Sequence, residues 1–228
     1  MDSEPGAFSV SDYVKALRDE PLAKRIAVRK QRGRMLTRYR DFVREANLPN
    51  AVADRLFDIL ADERVTIQQV TLEAQESGTS AAETLDKIQS THQQFAGSIS
   101  SLLDPKQVSE LEDYQSKLSA KMQVGDIASQ LLYSSDPLTV EQKKAVADIL
   151  NGSRDSLDPK AQALYTARTS IGELYTFPLT DVVLQKLGTV LNPSQQRTVY
   201  EIALAQMDEE DLYVYLKSQS KSSRAPHN

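Results

Sequence analysis

Leu138-Thr-Val-Glu-Gln-Lys-Lys-Ala-Val-Ala-Asp-Ile-Leu150 is the stretch on which the fold turns. Thr139 has the side-chain oxygen of an N-cap, and Gln142, three positions on, reaches back to the cap's own N–H. The pair closes a capping box and starts a helix. The same form returns as Leu103-Asp-Pro-Lys-Gln107 and Leu191-Asn-Pro-Ser-Gln195. There Pro105 and Pro193 fall at the first helical position, where a missing N–H costs nothing. Only Leu103 with Val108 offers a fully apolar staple across such a start. Leu157-Asp-Pro-Lys-Ala161 is an incomplete copy without the Gln, and Ser80 with Glu83 forms one more capping box.

The spacing of these starts indicates an internal duplication. Leu48-Pro-Asn-Ala-Val-Ala-Asp-Arg-Leu-Phe-Asp-Ile-Leu60 precedes Leu103 by 55 residues, and Leu138 precedes Leu191 by 53. The two segments align without gaps and both end Asp-Ile-Leu. They define two related helical units, about 47–120 and 137–207. In the second, Gly152, Pro159, Gly172 and Pro178 break the middle into shorter helices. Asn151-Gly152 reads as the turn after its first helix.

Outward from these starts, apolar residues recur every three or four positions and no convincing period-2 run is seen. Ser9–Glu20 forms a short helix stopped by Pro21. Leu22–Ala46 follows, with Leu22, Ile26, Met35, Leu36, Tyr39, Phe42 and Val43 on one side and an interruption near Gly33. Pro49–Gln75 carries Val52, Leu56, Ile59, Leu60 and Val70. After a turn at Gly78 comes a seam of three heptads: Ala81, Leu85, Ile88, His92, Phe95, Ile99 and Leu102. His92 on this apolar stripe is read as a structural, hydrogen-bonded residue. The expectation is an all-α, elongated helical bundle of two related helical-hairpin units with an N-terminal helical arm. Its divisions are 1–46 (flexible start and basic arm), 47–136, 137–217, and a disordered tail over 218–228.

Composition narrows the chemistry. The 228 residues include no Cys, no Trp and two His, His92 and His227. Thiolate nucleophiles and Cys-ligated metals are excluded, and little remains for a His-based metal site or a Ser/His/Asp triad. Eight Gly and no glycine-rich signature argue against a phosphate loop. Carboxylate pairs such as Glu110/Asp113 and Glu209/Asp211 sit among other charges and read as solvated surface. No catalytic, cofactor-binding or metal-ligating residue is assigned, and the chain is expected not to be an enzyme. Leu212-Tyr-Val-Tyr-Leu216 is expected to pack back onto the bundle, with a partner-docking edge as the other use.

Charge is uneven. Leu22–Ala46 holds nine Lys/Arg against Asp41 and Glu45, a net of +7, so the rest of the chain carries −12. The ordinary reading is a solvated helix face paired with acidic neighbours; the functional one is a patch for an anionic partner. Candidate contacts are Arg29, Lys30, Arg32, Arg34, Arg38 and Arg40 for charge, and Met35, Leu36, Tyr39 and Phe42 for apolar contact. Nucleic acid is set aside, because the overall pI is near 5.2 and no binding module is present. A membrane surface ranks below a protein.

The Leu-Thr-x-x-Gln form, placed twice per unit between long amphipathic helices, resembles the Spy/CpxP family of bacterial periplasmic helical stress proteins. Leu138–Gln142 matches that signature outright; Leu103–Gln107 and Leu191–Gln195 replace Thr with Asp and Asn; Leu48–Val52 departs after Leu. The resemblance spans about 47–207 and implies a small all-helical cradle acting as an ATP-independent chaperone or stress modulator, with homodimerisation left open. It implies the bacterial periplasm or envelope, with the cytoplasm as the alternative. The expected partner is an unfolded polypeptide or partner protein; the alternative, apart from the resemblance, is a dedicated adaptor that binds one specific protein by helix-in-groove contacts.

Overall fold

The structure, a computed structural model, describes residues 10–132, 136–170 and 173–206. These residues form helices, short connections and one extended segment, with no strand among them, so the all-α expectation holds for them. In chain order they are α1 (Val10–Asp19), α2 (Pro21–Glu45), α3 (Asn50–Ser77), α4 (Ala81–Leu102), α5 (Pro105–Leu131), α6 (Val140–Ser153), α7 (Pro159–Ser170), α8 (Asp181–Leu187) and α9 over 193–206. A 3₁₀ turn, Arg154–Ser156, follows α6. The segment Leu212–Leu216 and the tail 218–228 lie outside the described residues.

Local chemistry sets the helix ends. Gln142 N–H donates to Thr139 Oγ1 at 3.2 Å while Thr139 N–H donates to Gln142 Oε1 at 3.0 Å. The same reciprocal pair forms between Asp104 and Gln107 (2.8 and 3.1 Å), and between Asn192 and Gln195 (2.9 and 3.0 Å). Ser80 and Glu83 close theirs at 3.3 Å in both directions. The incomplete copy behaves as its sequence implies: Asp158 Oδ1 accepts from Lys160 and Ala161 N–H, with no return bond from Ala161. Glu20, ahead of Pro21, is extended (φ −115°, ψ 104°), as the ring of a following proline requires, and this separates α1 from α2. α2 ends in a Schellman turn: Asn47 takes φ 50°, its N–H reaches Arg44 O, and Leu48 N–H reaches Val43 O.

Three local expectations are corrected. α2 runs unbroken through Gly33, because one glycine costs a helix only about 1 kcal/mol and the packed face carries it across. Asn151-Gly152 lies within α6, and the chain turns only after Ser153. The α4 seam is buried only in its later part: Ile88, Thr91 and Ile99 face inward, while Ala81 and Leu85 are exposed.

The described residues fall into two compact units. The first holds those of Met1–Ser116 and Ala163–Leu174, the second those of Lys117–Gln162 and Tyr175–Asn228. This division by packing cuts within α5 and α7, whereas the sequence divides at 46/47 and 136/137. It also counts α1 and α2 in the first unit, packed on α3, rather than as a separate arm.

In the first unit α3 is the central helix, with α1, α2 and α4 against it. Leu56, Ala61 and Val65 are wholly buried on it; a buried Leu or Val contributes roughly 1.5–3 kcal/mol. Tyr39 and Phe42 of α2 meet Tyr114 of α5, ring centroids 5.8 and 5.6 Å apart, and Tyr114 Oη donates to Arg38 O at 2.7 Å.

In the second unit α6 packs on α8 around Val146, Leu150, Val183 and Leu187. Two capping boxes dock on each other here. Gln142 Nε2 donates to Gln195 Oε1 at 2.9 Å and to Val190 O at 3.0 Å. Gln195 Nε2 donates back to Gln142 Oε1 at 3.1 Å and to Asp136 O at 3.2 Å. The extended segment lies along α5: Gln123 Oε1 accepts from Phe177 N–H at 2.8 Å, its Nε2 donates to Phe177 O at 2.9 Å, and Ser119 Oγ accepts from Tyr175 N–H at 3.1 Å. Tyr175, Phe177 and Leu179 are buried while Thr176, Pro178 and Thr180 are exposed. A period-2 run is therefore present, contrary to the sequence expectation. Its three inward positions are too few to stand out among helical stripes.

Candidate functional site

Packing on α3 sorts the residues of α2 into inner and outer faces. Gln31, Met35, Tyr39 and Phe42 point inward. Met35, Tyr39 and Phe42, expected as binding contacts, are core side chains 4%, 7% and 2% exposed, so they offer no surface to a partner in this fold. Leu22 and Ile26, expected on one side of the helix with Met35 and Tyr39, are instead 60% and 61% exposed, and Leu36 is 40% exposed. At 100° per residue, Leu22, Ile26, Arg29, Gly33 and Arg40 share one face opposite Met35.

The cations separate in the same way. Arg32 Nε donates to Asp58 at 2.7 Å and its Nη2 to Asp54 at 2.6 Å. The Asp58 hydrogen bond holds the Arg32 guanidinium above its ordinary pKa; burial opposes it, and the Asp54 hydrogen bond adds to it. Lys24 Nζ lies 3.7 Å from Asp62, so Asp54, Asp58 and Asp62 form a row on α3 facing α2. Arg44 pairs with Asp41 on its own helix. Arg34 reaches Gln31 Oε1 at 3.5 Å, and Arg38 is half-buried, which lowers its pKa. Arg29, Lys30 and Arg40 are exposed and make no ion pair among the described residues. Paired and open cations thus coexist on one helix.

Further along the first unit, His92 Nδ1 of α4 sits 2.8 Å from Glu63 Oε1 of α3. Arg64, largely buried, lies 3.6 Å from Glu173; burial lowers its pKa, and Glu173 opposes that. These pairs tie elements together. No group of three or more His, Asp or Glu among the described residues is placed to hold a metal ion. No helix among them is long and apolar enough to cross a membrane.

Sequence reading missed two surface features. Arg25 and Arg55 line a groove formed by α2, α3 and α4, and Leu36, Val43, Ala53 and Phe57 line a second groove of about 500 Å³ between α2 and α3. Each joins residues of separate helices, and the sequence holds no signal of that adjacency beyond the charges themselves. No family model, curated protein or solved structure matches the chain.

Proposed function

We propose that this chain is a non-enzymatic helical binding protein that captures unfolded or partner polypeptide, chaperone-like or stress-modulating in role. The observation that carries the reading is the outer face of α2. Leu22 and Ile26 stand 60% and 61% exposed, one turn apart, beside Arg29, Lys30 and Arg40, which have no ion pair among the described residues. A mixed apolar and basic face of this kind attracts acidic, apolar-rich chain: charge speeds encounter and apolar contact holds the complex.

Two further points support the reading. The docked capping boxes at Gln142 and Gln195 fit the proposed duplication, since they relate the opening and closing starts of its second unit. The Leu-x-x-x-Gln signature resembles that of Spy/CpxP proteins, which places the chain in a bacterial envelope under this proposal. The binding face itself lies on α2, outside the stretch that carries the resemblance.

The test is reversal of three outer cations together, Arg29→Glu, Lys30→Glu and Arg40→Glu, none of which is buried. Binding of a reduced, unfolded test protein should weaken and lose most of its salt dependence; undiminished binding would reject the face. A dedicated adaptor for one partner is the second reading, favoured by the groove between α2 and α4.

A further inference from the structure

α2 and α4 both pack on α3 and leave an open trough of about 880 Å³ between them. Ile59 of α3 forms its floor, and half-buried Val28 of α2 and Phe95 of α4 line its walls. Two carboxylates lie in it, Asp58 and Asp62, and both are already engaged, by Arg32 at 2.7 Å and by Lys24 at 3.7 Å. Two further cations in it, Arg25 and Arg55, are exposed and have no ion pair among the described residues. The unsatisfied charge of the trough is therefore positive only, and it lies beside partly open apolar surface.

We propose that this trough docks an acidic amphipathic helix of a partner protein. Partner carboxylates would meet Arg25 and Arg55, and apolar side chains one turn apart would seat on Val28, Ile59 and Phe95, the pattern of helix-in-groove recognition. A flat lipid surface does not enter a trough walled by two helices, and two open cations are too few for a nucleic-acid backbone, whose binding rests on many phosphate contacts. The inference takes from the preceding reading only that the ligand is polypeptide. It adds the partner's chemistry and a site that borders the outer face of α2, with Arg25 one turn from Arg29.

The experiment titrates the full chain into a labelled synthetic peptide of about fifteen residues, helical, with Leu at i, i+4 and i+7 and Glu beside them. Saturable binding is expected, weakened about tenfold by Arg25→Glu with Arg55→Glu together, as reversal of two exposed ion pairs implies. Both residues are exposed, so the melting temperature of the double variant should match the parent's. A Lys-for-Glu version of the peptide should not bind. Arg40→Glu alone, fifteen residues and so about 22 Å along α2 from Arg25, should bind within about twofold of the parent, since screening weakens charges beyond about 10 Å.

The proposal is overturned if the acidic peptide does not bind or if the double variant binds it unchanged. Binding only after removal of residues 1–8 or 207–228 would instead make a segment of this chain the occupant. Vesicles of anionic phospholipid that bind in an Arg25- and Arg55-dependent way would make it lipid. Loss of peptide binding with unfolded-protein capture intact removes the trough alone; absence of both removes the general reading too.

Discussion

Gln195 joins the starts of α6 and α9 through its buried side-chain amide. It is 2% exposed, closes the box at Asn192, and satisfies Gln142 together with the carbonyls of Asp136 and Pro137. Gln195→Ala removes these hydrogen bonds from a buried amide, each worth about 0.5–1.5 kcal/mol net, so a loss of about 2–3 kcal/mol is expected in urea unfolding. Gln107→Ala removes a box of the same form that is partly exposed, and should cost only about 0.5–1 kcal/mol. Equal losses would show that docking of the two boxes adds nothing. Gln123 is comparable: its amide takes both the N–H and the O of Phe177, and Gln123→Ala should cost about 2–3 kcal/mol. Capping was legible residue by residue, because N-cap and N3 lie three positions apart and act locally. The pairing of Gln142 with Gln195 was not, since a 53-residue separation says nothing of approach. Tyr39 sets a pH limit. Burial raises its phenol pKa, outweighing the Gln115 hydrogen bond, so the folded state holds this proton more tightly than the unfolded chain. That stability is whole below the ordinary phenol range and is lost as pH climbs through the folded value. Tyr39→Phe should flatten the alkaline limb of a pH–stability profile followed by circular dichroism; an unchanged limb would place the effect elsewhere.

Among the elements, α2 departs furthest from its sequence reading. Its apolar residues at Leu22 and Ile26 follow the same spacing as Met35 and Tyr39, yet the first pair is exposed and the second buried. Nine positions separate Ile26 from Met35, which is 180° at 100° per residue, so the two pairs lie on opposite faces, and α3 covers the face that holds Met35 and Tyr39. Nine cations on one helix looked uniform in sequence. The acidic row on α3, three residues spaced one turn apart, engages Lys24 and Arg32, while Asp41 of α2 itself engages Arg44. Arg32→Met should lower stability by only about 0.5–1 kcal/mol, because the pairs it forms are partly solvated. Gly33 interrupts nothing: a Cβ there meets nothing within 4 Å, and its φ is not positive. Gly33→Ala should raise stability by about 0.5–1 kcal/mol in thermal or urea melts; a loss would mean that the position is constrained. The extended run Tyr175–Leu179 escaped sequence reading because its alternation is three residues long and its backbone partners, Ser119 and Gln123, belong to a helix 54–56 positions away.

At the level of the whole molecule, the all-α class followed from repeated capping boxes and 3.6-residue spacing, and these are local properties. Which helices meet is a long-range property. The division of the described residues into two compact units, cut within α5, has no marker in composition. The candidate surface was legible in part: the basic stretch was visible, but Met35, Tyr39 and Phe42, read beside it as apolar contacts, are buried, while Leu22 and Ile26 are exposed. The mixed face of α2 is proposed to capture polypeptide without chemistry. The most direct measurement is suppression of aggregation of two unrelated unfolding proteins, at low salt and at about 0.15 M, where charges beyond about 8 Å are screened. Suppression of both, weaker at the higher salt, is the predicted result; failure to suppress either at any salt would contradict it.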